Sequence, residues 1–384
     1  MVSQVVETQS MTPRVTPYDK WLQGENVRVY DGFFIEDTRT LELAPWDRRG
    51  CNAAFLKLYG QEGISEAHVI EVAPGQTLPP FHVGVEEVLY VIGGRGITTI
   101  WANESTPKRS FEWEKRSLFY VPPNYTYQIT NTSGAEPARV LIVSSLPLSM
   151  TINPGPKWYF ENTWCDTSLL YGEGGSEFYH EAKAQSVTTK VPNKEETYTR
   201  HTWQGAFFPD MYAWDKLDPY YGRGAGGYRV GVRFPNAGGN AHMAIFDAMT
   251  YKKGHAHAGG VVIIIPGGDG YSIIWPNKDA QDPNHERVII PWHESSVFVP
   301  PNRWFHQHFN VGGEPARYLA MHPPIQGLIQ DLSSQVTQIE YPQEDPFIRE
   351  YFAGQLGTRG LKTIMPPECY TDPNFEWEYG NSND

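Results

Sequence analysis

The chain has 384 residues, a net charge of −13, 36 Gly and 31 Pro. That acidity, with no run of Lys or Arg, excludes a general nucleic-acid surface. The longest aliphatic run, Val261-Val262-Ile263-Ile264-Ile265, is too short to span a membrane. Cys51, Cys165 and Cys369 form no CxxC pair and residues 1–20 lack the apolar stretch of a secretory signal, so a reduced, cytoplasmic protein is expected.

Residues 1–50 read as an arm, with a short helix expected near 18–24. Apolar or alternating runs then predict strands at 66–72, 88–92, 97–101, 117–121 and 138–143, with Gly93–Gly96 as a tight turn. These make a first β-module over 51–150. Residues 151–225 form a long connector. Its aromatics, among them Trp158, Trp164 and Tyr179, need a surface to pack on and argue against a free linker. The stretch from Tyr220 to Gly227 is glycine-rich but lacks the Lys-Ser/Thr ending of a phosphate loop, so it reads as a flexible turn. A second module over 226–325 has strands expected at 241–248, 261–265, 271–275, 296–299 and 317–321. In the extension 326–384, Asp345-Pro346 is a helix start, 347–355 the helix and Gly357 its stop. The acidic tail from Glu376 is expected to fray.

The two modules repeat one another. Ala67-His68 overlies Ala241-His242, and the same gap-free shift lays Gly93-Gly94-Arg95-Gly96 on Gly267-Gly268-Asp269-Gly270. Farther on, Pro122-Pro123-Asn124 falls on Pro300-Pro301-Asn302, and Glu136-Pro137-Ala138-Arg139 on Glu314-Pro315-Ala316-Arg317. Short strands at this spacing predict an all-β chain of two small barrels or sandwiches.

One segment of the second module carries chemistry. His255 and His257, separated by one residue, share a face if that segment is extended. A third His on another strand would complete a three-nitrogen corner suited to a first-row transition metal. The arrangement His255-x-His257, the turn Gly268-Asp269-Gly270, and Pro301-x-Arg303-x-x-His306-x-x-x-Asn310 together resemble the two motifs of the cupin superfamily. The resemblance covers about 51–150 and 226–325 and implies two tandem jelly-roll barrels, a bicupin. It implies His255, His257 and His306 as metal ligands. Val261 holds the place of the family's ligand Glu, and Arg303 that of a motif Gly. In the first barrel the same register lays Phe81 on His255, Val83 on His257 and Gln128 on His306, with Glu87 alone at the Glu position. His82 is one residue out of step, so the first barrel is expected to be a packed, metal-free core.

Three neutral imidazoles leave the full charge of a divalent ion uncompensated, so a small anionic, chelating substrate is expected. Fe(II) is the first expectation for the metal, with Mn(II), Ni(II), Cu(II) and Zn(II) also compatible with imidazole ligands. Three-His bicupins resemble gentisate- and salicylate-type ring-cleaving dioxygenases, which implies dioxygen as co-substrate and a hydroxylated aromatic acid as a candidate substrate. His308 is the expected acid/base and Arg303 or Arg233 the expected partner of a substrate carboxylate, with Trp304 and His242 as further pocket residues. The alternative is a non-oxidative lyase, isomerase, decarboxylase or hydrolase using the metal as a Lewis acid. A homo-oligomer is expected, with neither nucleic acid nor membrane as partner.

Overall fold

The computed structural model describes residues 15–191, 195–214, 217–276, 286–324, 338–372 and 375–379. Each half of the chain folds into two facing sheets. In the first, the strands Cys51–Leu58, Glu66–Val72, Ala138–Ser144, Glu87–Gly93 and Leu118–Val121 lie side by side in that order. Facing them is a sheet ordered Thr126–Asn131, Arg95–Trp101, Arg109–Glu114. The second half repeats the order with Tyr228–Arg233, Asn240–Phe246, Ala316–His322, Val262–Gly267 and Val297–Phe298. Its facing sheet runs Val288–His293, Asp269–Trp275, Phe305–Asn310, Gly254–His255, Gln338–Ile339. These are two jelly-roll barrels in tandem, and the expected strands are found to within a few residues of their expected ends.

The five-residue aliphatic run explains how the barrels are joined. Val262 and Ile264 belong to the largest apolar core, together with Leu89, Val140 and Ile142 of the first barrel. Val261, Ile263 and Ile265 belong to the interior of the second barrel. Side chains alternate between faces, so a strand buried on both sides must be apolar throughout. The two large sheets therefore pack back to back, and each barrel opens away from the other's core.

Two segments outside the expected modules belong to the repeat. Phe34–Ile35 of the arm pairs with Val297–Phe298 of the second barrel, and Phe207–Phe208 of the connector pairs with Leu118–Val121 of the first. Arg28–Gly32 runs parallel to Cys51–Leu58, as Thr197–Gln204 runs parallel to Tyr228–Arg233. Each repeat thus begins upstream of the expected boundaries at 51 and 226 and lends a strand to the other barrel. The connector packs through Tyr159, Phe178 and Tyr179, which are buried, whereas Trp158 and Trp164 are exposed; Tyr179 stacks on Phe111 at 4.3 Å and donates to the Tyr120 carbonyl at 2.8 Å.

Near the N-terminus, Pro17–Gly24 is a helix closed by a capping box between Thr16 and Asp19. The C-terminal helix Pro346–Gly357 starts where Asp345 accepts from the Phe347 N–H and continues through Gly357. Its buried Ile348, Phe352 and Leu356 join Tyr251, Tyr271 and Phe309 in a second core outside the small sheet of the second barrel. The end of the acidic tail, 380–384, lies outside the described residues. Among the described residues no helix is long and apolar enough to cross a membrane.

Candidate active site

His255 and His306 sit directly opposite one another, paired between the short strand Gly254–His255 and the strand Phe305–Asn310. His257 follows two residues on, and its ring centroid lies 4.6 Å from that of His306. One ligand atom from each of the three lies within 4.8 Å of the others. Each Nδ1 faces a backbone carbonyl: Lys253 for His255 at 3.1 Å, Ala258 for His257 at 2.8 Å and Trp304 for His306 at 3.3 Å. A carbonyl only accepts, so all three rings carry their proton on Nδ1 and present a bare Nε2. The Nε2 of His306 is buried and has no protein partner. Burial pushes His257 down to about 4 and holds His255 and His306 well below the ordinary imidazole range, so the trio is neutral at pH 7. Three fixed, neutral nitrogens converging on one point fit a divalent transition metal.

The trio lies in a cavity of about 270 Å³. Tyr220, Arg223, Arg229, His242, His308, Tyr318 and His322 also line it, and no carboxylate does among the described residues. His308 is buried, its Nδ1 2.8 Å from the Ser272 hydroxyl, which also accepts from Trp292 Nε1 at 3.1 Å. Burial pushes its imidazole down to about 3. His242 pairs with His322 at 2.7 Å. Arg223 donates to Gln338 Oε1 at 2.8 Å. The guanidinium of Arg229 lies 5.0 Å over the Tyr220 ring, and its buried Nε has no partner. Burial alone would push the Tyr220 hydroxyl up, but Arg229 and Arg223 bring it below the ordinary phenol range. Behind the Tyr220–Tyr318 wall lies Lys252, fully buried, with Nζ 4.4 Å over Tyr220.

Of the residues expected from sequence, His255, His257, His306, His308 and His242 come together here. Three do not. Arg303 is exposed and Arg233 points outward, also exposed. Trp304 tilts against Phe33 at 5.9 Å. Arg303 has φ 60°, the left-handed conformation that the motif Gly exists to supply, so its side chain is turned to solvent by its backbone. Arg223, Arg229 and Tyr220 were not expected. The signal was present: Tyr220 and Arg223 stand at the same shift from Trp46 and Arg49 that relates His242 to His68.

The structure also corrects the register of the last motif. Tyr127 faces Ile100 in the first barrel, as His306 faces Ile274 in the second. The Asn124 N–H bonds the Val83 carbonyl at 2.8 Å, as that of Arg303 bonds His257 at 2.8 Å. Tyr127, and not Gln128, therefore holds the place of His306. The matching Pro-Pro-Asn triplets misled by one residue: Leu89 faces Phe119 as Ile263 faces Phe298, so the strand before the turn is already one residue out of step with them. Phe81 pairs with Tyr127 as His255 pairs with His306, and Phe81 and Val83 are buried. His82 stands outside this pairing, and Glu86 is spent on the Gly238 and Gly239 N–H groups at 2.9 and 2.6 Å.

Comparison with known proteins finds one family match, within the first barrel. Residues 51–156 match the family model described as Cupin. No curated protein matches the sequence. Among solved structures, an oxalate decarboxylase of Bacillus subtilis is 13% identical, with 77% of this chain and 76% of that one covered and a TM-score of 0.44. A 7S globulin of Momordica charantia is 13% identical, with 77% and 85% covered and a TM-score of 0.45. A salicylate 1,2-dioxygenase of Pseudoaminobacter salicylatoxidans is 11% identical, with 70% of each chain covered and a TM-score of 0.46. At these values the likeness does not extend to a reaction.

Proposed function

We propose, for a chain whose residues 51–156 match the Cupin family model and whose second half repeats the strand order, a metal-dependent enzyme acting on a small anionic, chelating substrate. His255, His257 and His306 are the metal ligands in this reading. The observation that carries it is the trio of tethered imidazoles, with ligand atoms within 4.8 Å, in a cavity that no carboxylate lines among the described residues. Fe(II) is the metal we favour and dioxygen the co-substrate. A hydroxylated aromatic acid is the substrate class we would test first. The chemistry such an ion supplies is an uncompensated double positive charge for a chelating anion and, as Fe(II), electrons for dioxygen.

The rest of the work falls to the chain. Arg223 and Arg229 add fixed positive charge to the same cavity and suit a carboxylate that reaches beyond the metal. Gln338 holds the Arg223 guanidinium in one orientation. His308 is neutral at pH 7 and hydrogen-bonded through Nδ1, so its Nε2 is the group that exchanges a proton with substrate. The cavity admits a small molecule only, which restricts water around the reacting atoms.

Metal analysis of protein purified without oxygen, followed by oxygen uptake with hydroxylated aromatic acids, tests the proposal. About one iron per chain and substrate-dependent oxygen consumption is the expected result. Turnover without oxygen uptake would replace the oxidative reading by Lewis-acid chemistry, and a chain that retains no metal would remove both.

A further inference from the structure

The turn Trp46–Gly50 is the repeat counterpart of Tyr220–Gly224. The Arg49 N–H bonds the Trp46 carbonyl at 3.1 Å and that of Arg223 the Tyr220 carbonyl at 3.3 Å. Gly50 and Gly224 both have positive φ, 65° and 72°. Trp46 meets His68 edge-on at 5.4 Å, as Tyr220 meets His242 at 6.1 Å. Arg49 and Arg223 therefore leave equivalent points of the two barrels, yet their guanidinium groups go to different places.

In the second barrel, Gln338 draws Arg223 aside, on a strand that pairs with His255. In the first, the Arg49 carbon Cζ lies 4.1 Å over the Phe81 ring and 4.5 Å over the Tyr127 ring. These two rings stand where His255 and His306 stand in the second barrel. Arg49 is 1% exposed, and none of its three guanidinium nitrogens has a hydrogen-bond partner in the protein. The facing ionisable groups are the buried Glu87, whose carboxylate accepts from the Tyr127 hydroxyl at 2.7 Å, and the Glu66–His68 pair. Glu87 takes the place of Val261, so the first barrel has a carboxylate where the second has none. Phe81, Val83 and Tyr127 offer no imidazole, and these residues do not fit a metal ion.

We propose that Arg49 is a built-in replacement for the metal: a guanidinium lodged between Phe81 and Tyr127, facing Glu87, fills the place that the three-His cluster offers to an ion. The cation–π contacts and the buried carboxylate compensate it without the hydrogen bonds a solvated guanidinium would have. The first barrel is then a cation-filled barrel that needs no metal for its stability.

The test is chemical rescue. Removing the side chain in Arg49→Ala leaves Glu87 buried beside a vacant cation site. Tm should fall by about 5 °C, the cost of losing the buried guanidinium and its two ring contacts in a chain of this size. Ethylguanidinium at millimolar concentration should recover much of that loss, while equal sodium chloride should not. The double variant Arg49→Ala with Glu87→Gln should show no recovery. Arg49→Met, which keeps the volume and loses the charge, should remain destabilised, and it serves as the test if Arg49→Ala does not fold. Arg49→Met as stable as the wild type, or Arg49→Ala indifferent to ethylguanidinium, would overturn the proposal. A metal count supplies an independent arm: a chain with His255→Ala, His257→Ala and His306→Ala together should bind no Mn(II), and one ion per chain in that variant would place a metal in the first barrel against the proposal.

Discussion

The first barrel closes around a guanidinium and three side chains that carry no imidazole, Phe81, Val83 and Tyr127. The second barrel, with the same strands in the same order, keeps its equivalent place open and surrounds it with imidazoles. The backbone is nearly indifferent to this choice. The Val83 and His257 carbonyls receive the same turn N–H, and the Phe81–Tyr127 and His255–His306 pairs sit at the same point of their sheets. What differs is who supplies the positive charge. In one barrel it is covalently attached; in the other the geometry leaves it to an exchangeable ion. Gln338 accepts from the Arg223 guanidinium, whereas the Arg49 guanidinium has no hydrogen-bond partner in the protein.

The comparison breaks most easily at His257. Replacing it by Ala should reduce metal content to a small fraction and remove turnover, a loss of at least about 100-fold, with the fold kept. His82→Ala should leave metal content and turnover intact. Metal per chain, thermal unfolding and activity on the two purified variants decide this, and the reverse pattern would transfer the site to the first barrel.

Next in size is Arg223. Arg223→Gln should leave the metal in place, because the imidazoles do not depend on it, and weaken binding of an anionic substrate by about 10- to 100-fold through KM. Arg233→Ala is the control and should change neither. The contrast between these two arginines also shows what the sequence could not display. The strands, the repeat and the terminal helix were legible because periodicity and spacing carry them, and the His255–His257–His306 trio was legible as what the cupin resemblance implies. Arg223 was hidden because its repeat partner Arg49 lies upstream of the recognisable modules, in what read as an arm. The slip from Tyr127 to Gln128 arose because a matching Pro-Pro-Asn triplet is weaker evidence than strand pairing, which only the folded chain reveals.

Acid should act on the second barrel before the first. Burial lowers His257 to about 4 and His308 to about 3, so the unfolded chain, with imidazoles near 6.5, binds more protons than the folded one between those values. Stability contributed by these neutral rings is present above pH 6.5 and falls as pH drops toward 4. Metal retention should fall in the same direction, since a proton and a metal compete for Nε2. Thermal unfolding of metal-free protein across pH 7 to 4 should show Tm decreasing. In a variant with His257→Phe the decrease should be shallower, and an equal slope would mean that His257 is not an acid-sensitive element.

The smallest expected effect concerns Arg303. A left-handed backbone costs a non-glycine residue about 1 kcal/mol, and Arg303 sits there at φ 60° with its side chain in solvent. Arg303→Gly should therefore be neutral or raise stability by up to about 1 kcal/mol, with kcat and KM unchanged. The turn N–H would still donate to the His257 carbonyl, which is the one contact of this residue that positions the site. The first barrel meets the same backbone requirement with Asn124 at φ 61°, a residue type that tolerates it. Loss of turnover in Arg303→Gly with metal content preserved would show that the guanidinium reaches the substrate after all, and the turn would then have to move on binding. Retained turnover would confine the substrate's anionic group to Arg223 and Arg229, inside the cavity.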